Sequence, residues 1–228
     1  MFVPIHDDTP LKVIRFQWVT LAIMVVNCLA FLWDQFFASD IQHNLALTTF
    51  GLTPQDFVAA LRSAGPHGIA LEALTLVSSL FLHASWLHLI GNLAFLLVFA
   101  DNIEDAFGHL GFIFFYALCG LAGGLMHVAV MPGSDAPLIG ASSAVAGVLG
   151  SYLVLFPKAR VWMLLFVPVP LSAFWALFGW LAFQLFNIFW ATPGSNVALW
   201  SHVGGFATGF VLTLLLRGQI SLNTRGRI

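Results

Sequence analysis

The chain has 228 residues, 60% of them hydrophobic and only 8% charged, with a mean hydropathy of +0.94. A soluble domain of this composition would lack the polar surface to cover itself, so the chain reads as a membrane protein with several spans. A formal net charge of −2 without a basic cluster excludes nucleic-acid binding, which needs a concentrated Lys/Arg footprint.

Residues 1–16 form a polar head, expected as a cytoplasmic tail. The apolar run Trp18–Phe37 that follows is about the twenty residues a membrane helix requires. Lys12 and Arg15 before it also fit a signal peptide, but the run is long and only Ala38-Ser39 faintly resembles a cleavage site, which favours a retained first span. Residues 39–80 mix Asp40, Asp56, Arg62 and Glu72 with Leu, Phe and Ala; they are too polar to span and are expected to be partly helical at the interface. A second span is expected over 86–100, ending at Asp101-Asn102-Ile103-Glu104-Asp105. A third follows over 110–130, where Gly120 and Gly124 have the spacing that lets helix backbones approach closely in lipid.

Pro132-Gly133-Ser134-Asp135 punctuates the next loop, and a fourth span opens near Gly140 but reaches only to Phe156 before Pro157. It is short for a bilayer, so its first turn is expected inside the membrane, beneath a water-accessible cavity that satisfies the irregular backbone. Pro168 and Pro170 divide the following apolar run and put the start of a fifth span near Leu171. A Pro-Gly loop at 191–197 leads to a sixth span over 199–216, and 217–228 form a second cytoplasmic tail. The expected fold is an all-α membrane protein, a bundle of six transmembrane helices occupying 17–216 with a short fourth helix. With the N-terminus inside, inner segments hold Lys12, Arg15, Lys158, Arg160, Arg217, Arg225 and Arg227, and outer segments hold Arg62 alone. The excess of basic residues sets both termini in the cytoplasm.

This topology starts spans two, four and six on the outer side, each with its unusual polar residues in the first turns. His88 and Asn92 on span two, Ser142 on span four and His202 on span six therefore lie at similar depth. His88 and Asn92 share a helix face; Ser142, Ala146 and Gly150 share another; so do His202, Gly205 and Gly209. Gly140 and Gly147 add to the small-residue stripe of span four, so spans four and six can approach closely enough for a serine to meet an imidazole. The chemistry this permits is attack by the Ser142 hydroxyl with His202 as general base. His88, Asn92 and the Ser142 backbone N–H would donate to the oxyanion. No Asp or Glu falls within the expected spans two to six, so a carboxylate third member is not evident and the pair would act as a dyad.

These residues resemble the rhomboid intramembrane serine proteases. Phe81-Leu82-His83-Ala84-Ser85-Trp86-Leu87-His88-Leu89-Ile90-Gly91-Asn92 is similar to the family's second-helix motif, Gly140-Ala141-Ser142 to its nucleophile motif, and His202-Val203-Gly204-Gly205 to its sixth-helix motif. The resemblance covers about Trp18 to Leu216. It implies cofactor-free cleavage of transmembrane protein substrates within the lipid bilayer, the fifth helix and neighbouring loops admitting the substrate, in a bacterial inner membrane. Phe174 or Trp175 is the expected bulky residue facing span two. Two positions depart from the family: Ser143 stands where glycine is usual after the nucleophile, and Ala146 where an aromatic ring often packs near the histidine.

Competing uses of the same residues are weaker. A membrane-helix serine often bonds back to its own carbonyls, but Ser142 is accompanied by His202, His88 and Asn92 at one depth. His83 is off the His88 face and reads as a structural loop or interface histidine; His109 and His127, near the ends of span three, read as interfacial. No His-Glu-x-x-His pattern supports a metal site, and Cys28 and Cys119 lie in apolar segments where thiols pack as small hydrophobes. A transporter would show internal repeats or deep carboxylates. The remaining alternative is an inactive rhomboid-like protein that binds or escorts membrane helices, which would be expected to have lost the serine or the histidine.

Overall fold

The computed structural model describes residues 3–190 and 199–225; the Pro-Gly loop expected at 191–197 lies outside them. The first helix, α1, runs Trp18–Phe37, the bounds expected from the apolar run. Three helices follow on the polar segment: α2 (Asp40–Phe50), opened by a Ser39/Gln42 capping box, the amphipathic α3 (Pro54–Ser63) and α4 (Pro66–Ser78). The two prolines start their helices where a missing N–H costs nothing. A 3-10 turn, Ser79–Phe81, leads into α5 (Trp86–Val130).

α5 is two arms, 86–107 and 109–130, folded back at Gly108, whose φ of 72° is the left-handed region open to glycine. The first arm does not end at Ala100 as expected. It continues through Asp101–Asp105 because the buried carboxylates find donors on the segment before and at the start of α1. Asp105 accepts from the backbone N–H of Lys12 (2.8 Å), Val13 (2.6 Å) and Ile14 (2.7 Å). Glu104 accepts from Val19 N (3.0 Å), Thr20 N (2.7 Å) and Thr20 Oγ1 (2.7 Å), and its other contact is His109 Nδ1. Gln17 provides no side-chain cap for α1, so Glu104 caps it from another helix, a charge-assisted arrangement.

The all-α expectation also misses a three-stranded antiparallel sheet: β1 (Val3–Asp7), β2 (Arg160–Leu164) and β3 (Pro168–Ser172), in the order β1-β2-β3. Within the apolar run, Val161 and Met163 are buried while Arg160 and Leu164 are exposed, the period of a strand rather than of a helix. Pro168 and Pro170 pair with Leu164 and Trp162 from the edge strand, where proline is tolerated. The polar head is thus tied to the bundle through β1.

α6 (Ser142–Leu155) is the centre of the molecule; Ala144, Ala146, Val148, Leu149 and Tyr152 are all fully buried in the main core cluster. Its fourteen residues cover about 21 Å at a rise of 1.5 Å each, short of a hydrocarbon core of about 30 Å. α7 (Ala173–Trp190) and α8 (Leu199–Arg225) complete the bundle. Among the described residues three helices are long and apolar enough to cross a membrane, at Trp18–Phe37, Trp86–Val130 (the doubled α5) and Leu199–Ile220. Ser142–Leu155 and Ala173–Asn187 are shorter apolar helices, as is Pro66–Phe81.

Candidate active site

The loop before α6 is fixed by backbone bonds: Leu52 and Leu138 exchange N–H···O bonds of 3.0 and 2.8 Å, and Gly140 N–H donates to Ser79 O at 2.8 Å. Gly140 has φ +109°, which a side chain would strain, and a methyl there would meet His88 Nε2 at 2.5 Å. The same point lies 3.8 Å from Asn92 Nδ2. His88 and Asn92 therefore border the turn that delivers Ser142, and Asn92 Nδ2 also donates to His88 O at 3.0 Å. No side chain caps α6, so a capping residue does not occupy its first-turn N–H groups.

α6 and α8 touch backbone to backbone. A β-carbon at Gly205 would overlap the Ser143 carbonyl, one at Gly209 the Gly147 carbonyl, and one at Gly150 the Phe206 carbonyl. Gly147 faces Cys119 and the Gly205 carbonyl. Deeper along the pair, Thr213 Oγ1 donates to Ser151 Oγ at 2.7 Å. This close approach carries His202, in the first turns of α8, to Ser142: Nε2 lies 2.7 Å from Oγ, and both residues are only half-buried. Ser143 points elsewhere, buried with its Oγ 3.5 Å from Gly120 O on the second arm of α5.

Two residues at the site escaped the sequence reading. Gln184 Oε1 on α7 is 3.3 Å from His202 Nδ1, and the Trp180 ring, one turn earlier, sits 6.0 Å from the imidazole. The available signal was Gln184, one of two amides with Asn187 in the apolar run of α7 and the one four residues after a tryptophan, hence on its face. Trp180 also packs against Phe95 of α5, with centroids 6.4 Å apart. It takes the place expected of Phe174 and Trp175, both of which are exposed on the outer side of α7.

The other histidines differ from expectation in part. His83 lies in the loop before α5, one of its two expected readings, and is buried with its ring edge-on to His88 at 5.0 Å. His127 is buried too, not interfacial. It lies one turn beyond Gly123, whose face of α5 packs against Ser143 and the Ser201 carbonyl. His109 pairs with Glu104.

The bundle of apolar helices thus holds a serine hydroxyl against an imidazole. Residues 70–219 match the Rhomboid domain, and the chain belongs to the rhomboid family, whose members are typically intramembrane proteases. It is an integral membrane protein. It is 30% identical over 144 residues to Rhomboid-like protease 3 of Toxoplasma gondii, covering 63% of this chain and 52% of the relative. It is also 30% identical over 149 residues to the mitochondrial Rhomboid protein 1 of Saccharomyces cerevisiae (60% and 40%). With RHOMBOID-like protein 5 of Arabidopsis thaliana it shares 28% over 158 residues (65% and 46%). The chain thus spans about half the length of these relatives.

Proposed function

We propose that the protein is an intramembrane serine endopeptidase that cleaves peptide bonds in or near transmembrane segments of other membrane proteins. The observation that carries this reading is the 2.7 Å contact between Ser142 Oγ and His202 Nε2. Nε2 takes the hydroxyl proton as Oγ attacks the substrate carbonyl, and then returns it to the leaving amine. Water, activated by the same nitrogen, hydrolyses the acyl-enzyme. His88, Asn92 and the Ser142 N–H donate to the oxyanion as its charge develops. Gly147, Gly150, Gly205 and Gly209 hold the two reacting helices together, and Gly140 makes room for His88.

In this reading α1, the two arms of α5, α6, α7 and α8 are six spans forming one protease domain over 17–216. The short α6 opens inside the membrane. The basic-residue asymmetry places 1–16 and 217–228 in the cytoplasm, with a bacterial inner membrane as the proposed location.

The test is a fluorophosphonate label together with cleavage of a transmembrane substrate in proteoliposomes. Ser142→Ala should abolish both, a loss on the order of 10⁶ in turnover for a protease-type nucleophile. Ser143→Ala should stay within about threefold, because the hydroxyl it removes makes only a hydrogen bond at the long limit. The reverse pattern would refute the assignment. A folded wild-type protein that binds membrane helices yet neither labels nor cleaves would select the escort reading instead.

A further inference from the structure

We propose that Gln184 is a positioning residue for His202, its side-chain oxygen accepting the Nδ1 proton so that the Nε2 lone pair faces Ser142. The inference rests on the reading of Ser142 and His202 as nucleophile and base. A neutral imidazole has one N–H and one lone pair, and only the tautomer protonated at Nδ1 can take a proton from the serine. The two nitrogens of His202 have different neighbours: Nε2 is 2.7 Å from Ser142 Oγ and Nδ1 is 3.3 Å from Gln184 Oε1. A carbonyl oxygen can only accept, so it selects the required tautomer. It does this without placing a charge in the membrane, where a carboxylate in the same role would be costly to desolvate.

Two further observations support the assignment. Gln184 is only 9% exposed, whereas its neighbours Phe183 and Phe186 are 64% and 53% exposed. A helix whose outer face is apolar thus turns Gln184 inward, toward the imidazole, while its other amide, Asn187, donates locally to Phe183 O. Trp180 shares that inner face, its ring 6.0 Å from His202 and stacked at 6.2 Å on Phe206 of α8. Ala146 on α6 supplies no ring, so the wall beside the base comes from α7. Trp180 limits the tilt of the imidazole and Gln184 fixes its proton. Because both are on α7, displacing that helix from α8 removes them together, and the base is aligned only while α7 is seated.

The experiment compares wild type, Gln184→Leu, Gln184→Met, Gln184→Glu and Ser142→Ala in proteoliposomes. It measures single-turnover rate, KM, fluorophosphonate labelling rate and melting temperature. A positioned general base contributes roughly 10² to 10⁴ in rate. Because the bond is long, the Leu and Met variants should lose about 10- to 100-fold. The loss should fall in kcat with KM unchanged, and labelling should slow by the same factor. Gln184→Glu, which restores an acceptor, should recover to within a few-fold of wild type. Two apolar replacements guard against one failing to fold. A lower melting temperature with unchanged kcat and labelling, or a Glu variant as slow as the Leu variant, would overturn the proposal. So would an acceleration on removing the amide, because its NH₂ would then be the group facing Nδ1. Wild-type protein that is neither labelled nor active would instead defeat the protease reading itself.

Discussion

Replacing Asn92 with alanine separates a catalytic from a structural role at one residue. The amide nitrogen carries two hydrogens. One goes to His88 O at 3.0 Å, a local bond within the first arm of α5, and the nitrogen lies beside the Gly140 turn that delivers Ser142. Losing the local bond should cost about 1 kcal/mol of stability, since the net worth of a neutral hydrogen bond is of that order. Losing an oxyanion donor costs more, because the interaction strengthens as negative charge develops on the substrate oxygen. By comparison with other oxyanion donors the chemical step should slow on the order of 10² to 10³, about 3 to 4 kcal/mol. The effect should appear in kcat and leave KM nearly unchanged. Melting temperature and single-turnover rate are measured on the same purified variant in proteoliposomes. A clear fall in melting temperature with an unchanged rate would remove Asn92 from the oxyanion site, while leaving Ser142 and His202 in place.

A cysteine at Ser134 should react with an impermeant thiol reagent from the outside and one at Lys158 only from the inside; outside labelling at Lys158 would reverse the proposed orientation. Phe95→Ala removes the ring that meets Trp180 between α5 and α7. If substrates enter there, it should raise turnover of a transmembrane substrate about two- to fivefold without raising that of a soluble peptide, as expected when opening limits the rate. No gain would place the entrance elsewhere. Burial pushes the Asp7 carboxyl above its ordinary value of 3.8, against opposing hydrogen bonds from Tyr152 and Thr9. The folded state therefore binds this proton more tightly than the unfolded chain. Its contribution is full below the unfolded value and lost as pH rises through the folded one. Hydrogen exchange in β1, corrected for intrinsic rates, should be faster at neutral than at mildly acid pH, and Asp7→Asn should remove the difference.

How legible the architecture was in the sequence depended on the kind of burial involved. The bounds of α1 followed from a lipid-facing apolar run, because the bilayer imposes length directly. Glycine stripes and polar residues at matched depth pointed to the α6–α8 contact, since small residues are what let backbones meet in lipid. The acidic run Asp101–Asp105 misled for a corresponding reason. Carboxylates normally mark the end of a span, but Glu104 and Asp105 are satisfied by backbone donors more than eighty residues earlier in the chain. A long-range partner of that kind leaves no local pattern. The sheet was hidden similarly: Val161 and Met163 alternate with their neighbours, yet within so apolar a stretch the period of two is masked. Gln184 does not stand out in the sequence because it carries no charge, yet an uncharged acceptor is the cheaper partner for an imidazole in this setting.

The site is divided between two kinds of packing, with different consequences for its chemistry. Between α6 and α8 the backbones touch at Gly147, Gly205 and Gly209, and nothing larger fits. That contact fixes how far Ser142 is from His202, and interiors packed in this way yield little. The rotation and protonation of the imidazole depend instead on α7, which meets it through the flat Trp180 ring and one long hydrogen bond, and whose outer face is apolar and exposed. Distance is therefore set by a rigid helix pair and orientation by a softer third helix. A methyl group at Gly209 should force α6 and α8 apart and destabilise the fold together with the reaction. A change at Gln184 should disturb the reaction alone. If the proposed entrance lies between α5 and α7, seating α7 after a substrate enters is the step that completes the base, so substrate access and proton transfer are coupled through one helix.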